Sequence, residues 1–173
     1  MALTCRMCKA QRLTRFLDLG FTPPADAFLR REQLAEPETH YPLQVYLCRD
    51  CGLSQLGIVV SPEILYRRDY PYEASTTRTG QQHWAEFAES VAQRFRFPKD
   101  SLAVDIGSNV GVLLSQFRKQ GFRILGVDPA SNIVRLAERQ GVETLDELWS
   151  PEVAQLIRRT RGAASVITAT NSF

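Results

Sequence analysis

Apolar and polar residues change their periodicity near residue 100, and the change divides the chain into two parts of different architecture. From residue 101 onward, short apolar runs alternate with amphipathic stretches of helical period. Such an alternation of strands and helices predicts a parallel, doubly wound α/β sheet. The predicted strands are residues 102–106, 123–127, 142–145 and 165–170, and the predicted helices are residues 110–119, residues 132–140 and a segment opening at Ser150 and Pro151.

Before residue 100 the pattern predicts short strands, a connector and one helix. Apolar runs at residues 43–47 and 53–60 read as strands, and turn residues such as Gly20, Pro23 and Pro24 precede them. Residues 66–79 form the predicted connector. An apolar stripe of Trp84, Phe87, Val91 and Phe95 predicts a helix that ends before Pro98. We therefore expect a domain at residues 1–64, a connector with a packing helix at 65–98, and an α/β domain at 99–173.

Composition and charge exclude several classes of protein. With 44% hydrophobic and 23% charged residues over 173 positions, the chain is not predominantly disordered. A formal net charge of +2 offers no electrostatic footprint for nucleic acid or an anionic membrane, and we expect neither as a partner. No apolar run approaches the roughly 20 residues of a membrane span. We expect a cytoplasmic protein with reduced cysteines.

The four cysteines form two pairs, Cys5-x-x-Cys8 and Cys48-x-x-Cys51, and both lie in the first domain. Two intervening residues allow both sulfurs of a pair to reach one metal ion, and four thiolates suit tetrahedral zinc. The 39 residues between the pairs leave two separate sites as an alternative, and unligated or redox cysteines as another. His40 is a further candidate ligand. A closed four-thiolate site would hold the fold and would not catalyse.

A glycine turn follows the first strand of the second domain, in the sequence Asp105-Ile106-Gly107-Ser108-Asn109-Val110-Gly111. Asp128, at the end of the next strand, is placed to accept hydrogen bonds from ribose hydroxyls. A dinucleotide fingerprint needs a glycine where Asn109 stands, because the pyrophosphate approaches the backbone there. S-adenosylmethionine has no phosphate, so this turn favours it over NAD. Asp105 would order the turn or face the amino-acid end of the cofactor.

Both halves together resemble one family, the S-adenosylmethionine-dependent C-methyltransferases of nucleotide-linked deoxysugars, which carry an N-terminal zinc domain. The resemblance covers essentially the whole chain. It rests on the two cysteine pairs with Gly52-Leu53-x-Gln55-Leu56, and on these further motifs: Leu17-Asp18-Leu19-Gly20, Pro24-Ala25-Asp26-Ala27-Phe28-Leu29, Tyr41-Pro42-Leu43, Tyr70-Pro71-Tyr72, Asp105-Ile106-Gly107-Ser108-Asn109, Gly126-Val127-Asp128-Pro129-Ala130 and Ala169-Thr170-Asn171.

The resemblance implies a small zinc-ribbon-like domain followed by a partial Rossmann-like sheet of the class I methyltransferase type. It also implies methylation of a sugar carbon beside a keto group, by α-deprotonation and attack of the enolate on the cofactor's methyl group. Tyr70 and Tyr72 are the catalytic candidates, with no choice between them, and the nucleotide sugar is the expected substrate. The implied cofactor residues are Asp105, Gly107, Ser108, Asn109, Gly111, Asp128, Pro129 and Asn171; the implied zinc ligands are Cys5, Cys8, Cys48 and Cys51.

The chain departs from the family pattern at three places. Val110 replaces a polar residue of the turn, and Ala74 with Ser75 stands where the family has two serines. The chain ends at Phe173, where the family continues with a histidine and further strands. We therefore expect a partial chain with weak or no methyltransferase activity. Two alternatives are a fragment of a nicotinamide-dependent oxidoreductase and a non-catalytic zinc module attached to a nucleotide-binding α/β domain.

Overall fold

The chain forms two compact units, residues 1–65 and 66–173. A computed structural model describes residues 3–67, 70–74, 77–170 and 172. Among these residues, no helix is both long and apolar enough to cross a membrane.

The first unit is built on a three-stranded antiparallel sheet in the order β1-β2-β3. Leu13 at the start of the first strand pairs with Cys48 at the end of the second. Tyr46 pairs with Gln55 of the third strand. This register places the first and third strands beside the cysteine at the end of the second. A 3-10 helix spans Arg31–Ala35 between the first two strands. The remaining elements are β1 (Leu13–Thr22), β2 (Tyr41–Cys48), β3 (Ser54–Leu56) and a short helix α1 (Pro62–Leu65).

Strand β1 is absent from the sequence prediction, and β3 is shorter than predicted. Asp18 and Gly20 resemble a turn, but they form an irregularity inside β1: the Asp18 carboxylate accepts the N–H of Gly20 at 3.0 Å, and the β1–β2 register shifts before Phe21. A φ of +75° at Gly20 suits glycine there. The apolar run predicted to be a strand at 53–60 pairs with β2 only as far as Leu56.

The second unit contains a four-stranded parallel sheet in the order β6-β5-β4-β7. Parallel strands joined through helices are the doubly wound arrangement that the alternating pattern predicts. The strands are β4 (Leu102–Ile106), β5 (Arg123–Asp128), β6 (Thr144–Asp146) and β7 (Ala164–Ala169), and the helices are α2 (Arg78–Phe95), α3 (Val112–Lys119), α4 (Ser131–Arg139) and α5 (Pro151–Arg161).

Alternate residues of β4 face opposite layers, and this places helices on both sides of the sheet. Leu102 and Val104 lie in one apolar cluster with Val153 of α5. Ala103 lies in another with Phe117 of α3, beneath the apolar stripe of α2. All five residues of β4 are buried. The central strand therefore holds its carboxyl end, and the turn that follows, in a fixed position.

Local signals set the helix ends. The Ser150 hydroxyl accepts the N–H of Val153, and Pro151 occupies the first turn of α5, as predicted. Gly141 follows α4 with a φ of +77°. Helix α2 begins earlier than its apolar stripe indicates, because the Thr77 hydroxyl caps it by accepting the N–H of Gly80.

Candidate metal centre and cofactor site

The two cysteine pairs form one metal site. The Sγ atoms of Cys5, Cys8, Cys48 and Cys51 all lie within 4.8 Å of one another. The Sγ atoms of Cys5 and Cys51 are 3.6 Å apart, and so are those of Cys8 and Cys48. Each sulfur of the first pair therefore lies next to a sulfur of the second pair. The fold brings both pairs into one cluster, which is the arrangement that a shared site requires. His40 lies outside this cluster, with its Nδ1 3.0 Å from the carbonyl of Glu38.

Backbone N–H groups stabilise the thiolate form of Cys5 in this cluster, whereas the neighbouring sulfurs raise the pKa of Cys8 and of Cys51. The N–H groups of Cys8 and Met7 lower the pKa of the Cys5 thiol to about 6, against the opposing effect of its burial. The turns that aim these groups are closed by hydrogen bonds from Lys9 N–H to the Cys5 carbonyl and from Gly52 N–H to the Cys48 carbonyl, both 3.0 Å long. Four preoriented sulfurs, with no fifth donor in the group among the described residues, match the closed, tetrahedral coordination of structural zinc.

Gln55 supports the cysteine cluster, a role that the sequence analysis did not assign to it. Its side chain is buried, accepting the N–H of Arg6 at 2.9 Å and donating to the Thr4 carbonyl at 3.2 Å. These bonds fasten the first cysteine turn to strand β3. The amide thus orients a ligand-bearing turn, as outer residues of metal sites commonly do.

The second site lies at the carboxyl end of β4. Strand order reverses here, because β4 is flanked by β5 on one side and β7 on the other, and ligands of open α/β sheets bind at such positions. The turn that follows, residues 107–111, has left-handed backbone at Gly107, Asn109 and Gly111, with φ values of +68°, +50° and +78°. It brings backbone groups close to the strand ends.

Two buried carboxylates stand at the ends of adjacent strands of this site. Asp105 is 2% exposed and accepts a hydrogen bond from the Thr168 hydroxyl at 2.7 Å. Burial and, to a smaller extent, the negative charge of Asp128 raise the pKa of Asp105 to about 6, against the lowering effect of the Thr168 hydrogen bond. Burial also raises the pKa of Asp128, which is 7% exposed. A cation or hydroxyl donor bound here would favour both ionised forms.

The Asp128 carboxylate links the turn to helix α4. One oxygen accepts the N–H of Asn109 and the other that of Ala130, each at 2.9 Å. Since a carboxylate oxygen has two acceptor positions, one on each oxygen remains for a ligand. The predicted contact with ribose hydroxyls is compatible with this arrangement.

The Asn109 side chain reaches the connector, which the sequence analysis did not anticipate. Its Nδ2 donates to the Tyr72 carbonyl at 2.9 Å, while its Oδ1 accepts the N–H groups of Ala74 at 2.7 Å and Val110 at 2.9 Å. Asn109 therefore places a side chain where a dinucleotide fingerprint has glycine. It also holds residues 72–74 of the connector beside the turn.

The structure distinguishes the two candidate tyrosines. Tyr70 packs against the cluster of Val110, Ala130 and Ile133, and its ring meets that of Tyr66 edge-on at 5.9 Å between centroids. The Tyr72 side chain is 58% exposed, although its backbone is fixed by Asn109.

Of the other predicted cofactor residues, Ser108 is the most informative. Its hydroxyl is buried and has no hydrogen-bond partner among the described residues. Pro129 lies between Asp128 and Ala130, at the junction of β5 and α4. Asn171 lies outside the described residues.

The chemistry of this donor set fits S-adenosylmethionine. The cofactor offers a sulfonium, an ammonium and ribose hydroxyls, all of which favour ionised Asp105 and Asp128. The pyrophosphate of a dinucleotide would instead bring negative charge close to the Asp105 carboxylate. It would also approach the side chain of Asn109, which is already hydrogen-bonded to the connector. The nicotinamide alternative therefore has the weaker support.

Comparison with known proteins agrees with both sites. The family described as "Putative zinc binding domain" matches residues 5–66, which include all four cysteines. The C-methyltransferase NovU of Streptomyces niveus is 34% identical over 169 residues, covering 98% of this chain and 40% of NovU. The chain is thus similar to a C-methyltransferase over nearly its whole length, and its first unit matches a zinc-binding family. It spans 40% of the length of this relative, and the activity of the complete relative does not transfer by the match alone.

A structural comparison gives a weaker resemblance. A methyltransferase from Agrobacterium tumefaciens, described as dependent on S-adenosylmethionine, aligns with 72% of this chain and 39% of its own. The identity is 13% and the TM-score is 0.43. The Rossmann-like fold of the second unit is established by its strand order and parallel pairing.

Proposed function

We propose that this chain supplies the zinc-binding and cofactor-binding parts of an S-adenosylmethionine-dependent C-methyltransferase acting on a nucleotide-linked keto-deoxysugar. One observation carries the proposal: two buried carboxylates, Asp105 and Asp128, meet at the sheet's switch point beside a fixed tyrosine segment. The 34% identity to the C-methyltransferase NovU supports the same reaction class.

Each residue of the turn has a definite part in binding. S-adenosylmethionine, when bound, supplies an electrophilic methyl group on a positively charged sulfur. Asp128 accepts hydrogen bonds from the ribose hydroxyls, and Asp105 faces the ammonium end of the cofactor. Gly107 and Gly111 let the backbone approach, while Ser108 and Pro129 line the same edge. Asn109 holds the connector and does not contact the cofactor through its side chain.

On the substrate side, Tyr72 is the better catalytic candidate. The carbon beside a keto group must lose a proton before it can accept a methyl group, and the group that receives the proton must lie within hydrogen-bond reach. The exposed side chain of Tyr72 is accessible to a substrate. Tyr70 serves packing, since its ring lies against Val110 and Ile133.

The zinc site serves the fold of the first unit. Four thiolates complete the coordination of zinc, so no position remains for a reacting group. A reducing compartment keeps such thiols available for metal, which supports our proposal that the protein is cytoplasmic.

Calorimetric titration with S-adenosylmethionine tests the cofactor assignment. We expect Asp128→Asn to weaken binding at least tenfold, on the order of 1.4 kcal/mol, because the neutral amide is a poorer acceptor for ribose hydroxyls. Glu138→Gln is the matched control, because Glu138 is an exposed carboxylate of the neighbouring helix α4. Equal affinity of Asp128→Asn and wild type would remove Asp128 from the cofactor site.

Deuterium exchange at the substrate tests the role of Tyr72. A nucleotide-linked keto-deoxysugar is incubated with the chain in D₂O, and NMR follows loss of the proton beside the keto group. We expect Tyr72→Phe to slow the enzyme-dependent exchange roughly 100-fold, in the usual range for general acid–base residues. Tyr66→Phe is the control. Exchange at the wild-type rate in Tyr72→Phe would exclude Tyr72, and no exchange with wild type would exclude deprotonation by this chain.

A further inference from the structure

Two asparagines hold the tyrosine segment, Tyr70–Ala74, against the rest of the second unit. Asn132 of α4 donates to the Tyr70 carbonyl at 2.8 Å and accepts the Tyr70 N–H at 3.2 Å. Asn109 forms the equivalent pair of bonds with the Tyr72 carbonyl and the Ala74 N–H. Side-chain amides therefore satisfy the backbone of a segment that belongs to no helix or strand.

Asn109 connects this segment to the cofactor carboxylate. Its backbone N–H donates to Asp128, while its side chain binds Tyr72 and Ala74. The bond to Asp128 fixes the left-handed backbone of Asn109, at φ +50°, and thereby the direction of its side chain. Asn132 differs, because within the described part of the chain its side chain bonds to Tyr70 and not to the turn or to Asp128.

We propose that Asn109 is a positioning residue that couples occupancy of the cofactor site to docking of the tyrosine segment. The inference rests on the proposed function, since the ligand at Asp128 is taken to be S-adenosylmethionine. A ligand that donates hydrogen bonds to Asp128 holds its carboxylate in the ionised, immobile form. That form strengthens the bond from the Asn109 N–H, which keeps the side chain directed at Tyr72 and Ala74. By linkage, releasing the segment must weaken cofactor binding by the same factor.

Amide hydrogen exchange measured by NMR tests the coupling, with S-adenosylmethionine as the ligand. Asn109→Gly removes the side-chain bonds but keeps a residue that tolerates positive φ, so backbone strain does not confuse the result. Asn132→Ala loosens the same segment from its other end and leaves the turn and Asp128 intact. Glu138→Gln on the same helix is the control for a substitution that touches neither.

We expect exchange at the Ala74 N–H to accelerate about tenfold in Asn109→Gly without ligand, as for a lost hydrogen bond of about 1.4 kcal/mol. Saturating S-adenosylmethionine should slow this exchange in wild type and not in Asn109→Gly. Calorimetry should show affinity about tenfold weaker in both Asn109→Gly and Asn132→Ala, within the usual range of coupling between sites.

Three results would overturn the inference in distinguishable ways. Unchanged Ala74 exchange in Asn109→Gly would show that the side chain does not hold the segment. Wild-type affinity in Asn132→Ala, with its Tyr70 N–H exchanging faster, would show that docking and binding are independent. Absence of any binding to wild type would refute the proposed function and the coupling together, while the ligand-free exchange rates would still decide whether Asn109 positions the segment.

Discussion

At the scale of single residues, burial determines how Asp105 responds to pH. The folded chain keeps this carboxyl protonated up to a pKa of about 6, because ionisation in the interior is unfavourable. An unfolded chain loses the same proton near pH 4. Between these two pH values the folded state binds more protons, so the free energy of unfolding falls as pH rises. The stabilisation is complete below about pH 4 and is lost above about pH 6.

Asp105→Asn should remove most of this pH dependence. The amide cannot ionise and still accepts the hydrogen bond from Thr168, so the variant should be more stable than wild type at pH 7. The gain is at most about 3 kcal/mol, since one pKa unit corresponds to roughly 1.4 kcal/mol. Urea unfolding followed by fluorescence measures it, because the only two tryptophans of the sequence, Trp84 and Trp149, lie in the second unit.

The exposed Glu138→Gln variant controls for loss of one negative charge. It should follow the wild-type pH curve. If Asp105→Asn also loses stability between pH 4 and pH 6 as wild type does, the buried carboxyl is not the source of the dependence.

The sequence is most informative at this scale where chemistry repeats at short spacing. Cys5-x-x-Cys8 and its partner pair indicate a metal site because the spacing is a local constraint, and Asp128 is a candidate because it ends a recognisable strand. Asn109 and Asn132 were not predicted to hold the connector, since their partners lie 35 and 62 residues away and depend on the folded chain. Gln55 was missed for the same reason.

At the scale of elements, close contact explains which glycines the second unit requires. A Cβ at Gly111, which caps α3, would lie 2.6–2.9 Å from the side chain of Val142. A Cβ at Gly121 would meet nothing within 4 Å, although both residues have positive φ. An alanine would strain the backbone at either position, but only at Gly111 would its Cβ also be too close to a neighbouring side chain.

Gly111→Ala should destabilise the second unit more than Gly121→Ala does. We expect about 1–2 kcal/mol for Gly121→Ala, from left-handed backbone alone. Gly111→Ala should cost a further 1–3 kcal/mol, roughly the range for overpacking. Urea unfolding by tryptophan fluorescence gives both values. Equal losses would show that Val142 moves aside without cost, which would contradict the tight contact between turn and sheet.

Element prediction was reliable for β4, α3, β5, α4 and α5, because each combines a clear period with a local end signal such as Ser150 before Pro151. Strand β1 was missed because Asp18 and Gly20 are turn residues in most contexts. Their role inside a strand depends on pairing with β2, where Asp18 also accepts a hydrogen bond from Gln44 at 3.0 Å. Propensity alone does not contain that information.

At the scale of the whole molecule, the two units differ in what stabilises them. Among the described residues of the first unit, only Cys5, Cys48 and Gln55 are buried. The second unit buries many large apolar side chains, such as Phe117 and Leu125. Apolar burial stabilises the second unit. The first unit lacks such a core, so we expect metal coordination to stabilise it.

Removing zinc should unfold the first unit and leave the second folded. Structural zinc contributes on the order of 10 kcal/mol in comparable small domains, more than a unit with so small a core can lose. Backbone amide NMR signals of β1 and β2 should collapse on chelation, while tryptophan fluorescence stays unchanged. Cys48→Ser should behave like the chelated protein, and Met7→Ser, an exposed position between two ligands, should keep one zinc per chain. Retention of the β1 and β2 signals without metal would contradict this account.

The central claim is that the switch point of the second unit binds S-adenosylmethionine. An NMR-detected titration of the ¹⁵N-labelled chain tests it most directly, with NAD titrated in parallel. We predict saturable shifts of the amides of Gly107 to Gly111, Ala130 and Ala74 with S-adenosylmethionine, none of comparable size in β1 to β3, and no saturation with NAD. Saturation by NAD at these amides, or no response to S-adenosylmethionine, would contradict the claim.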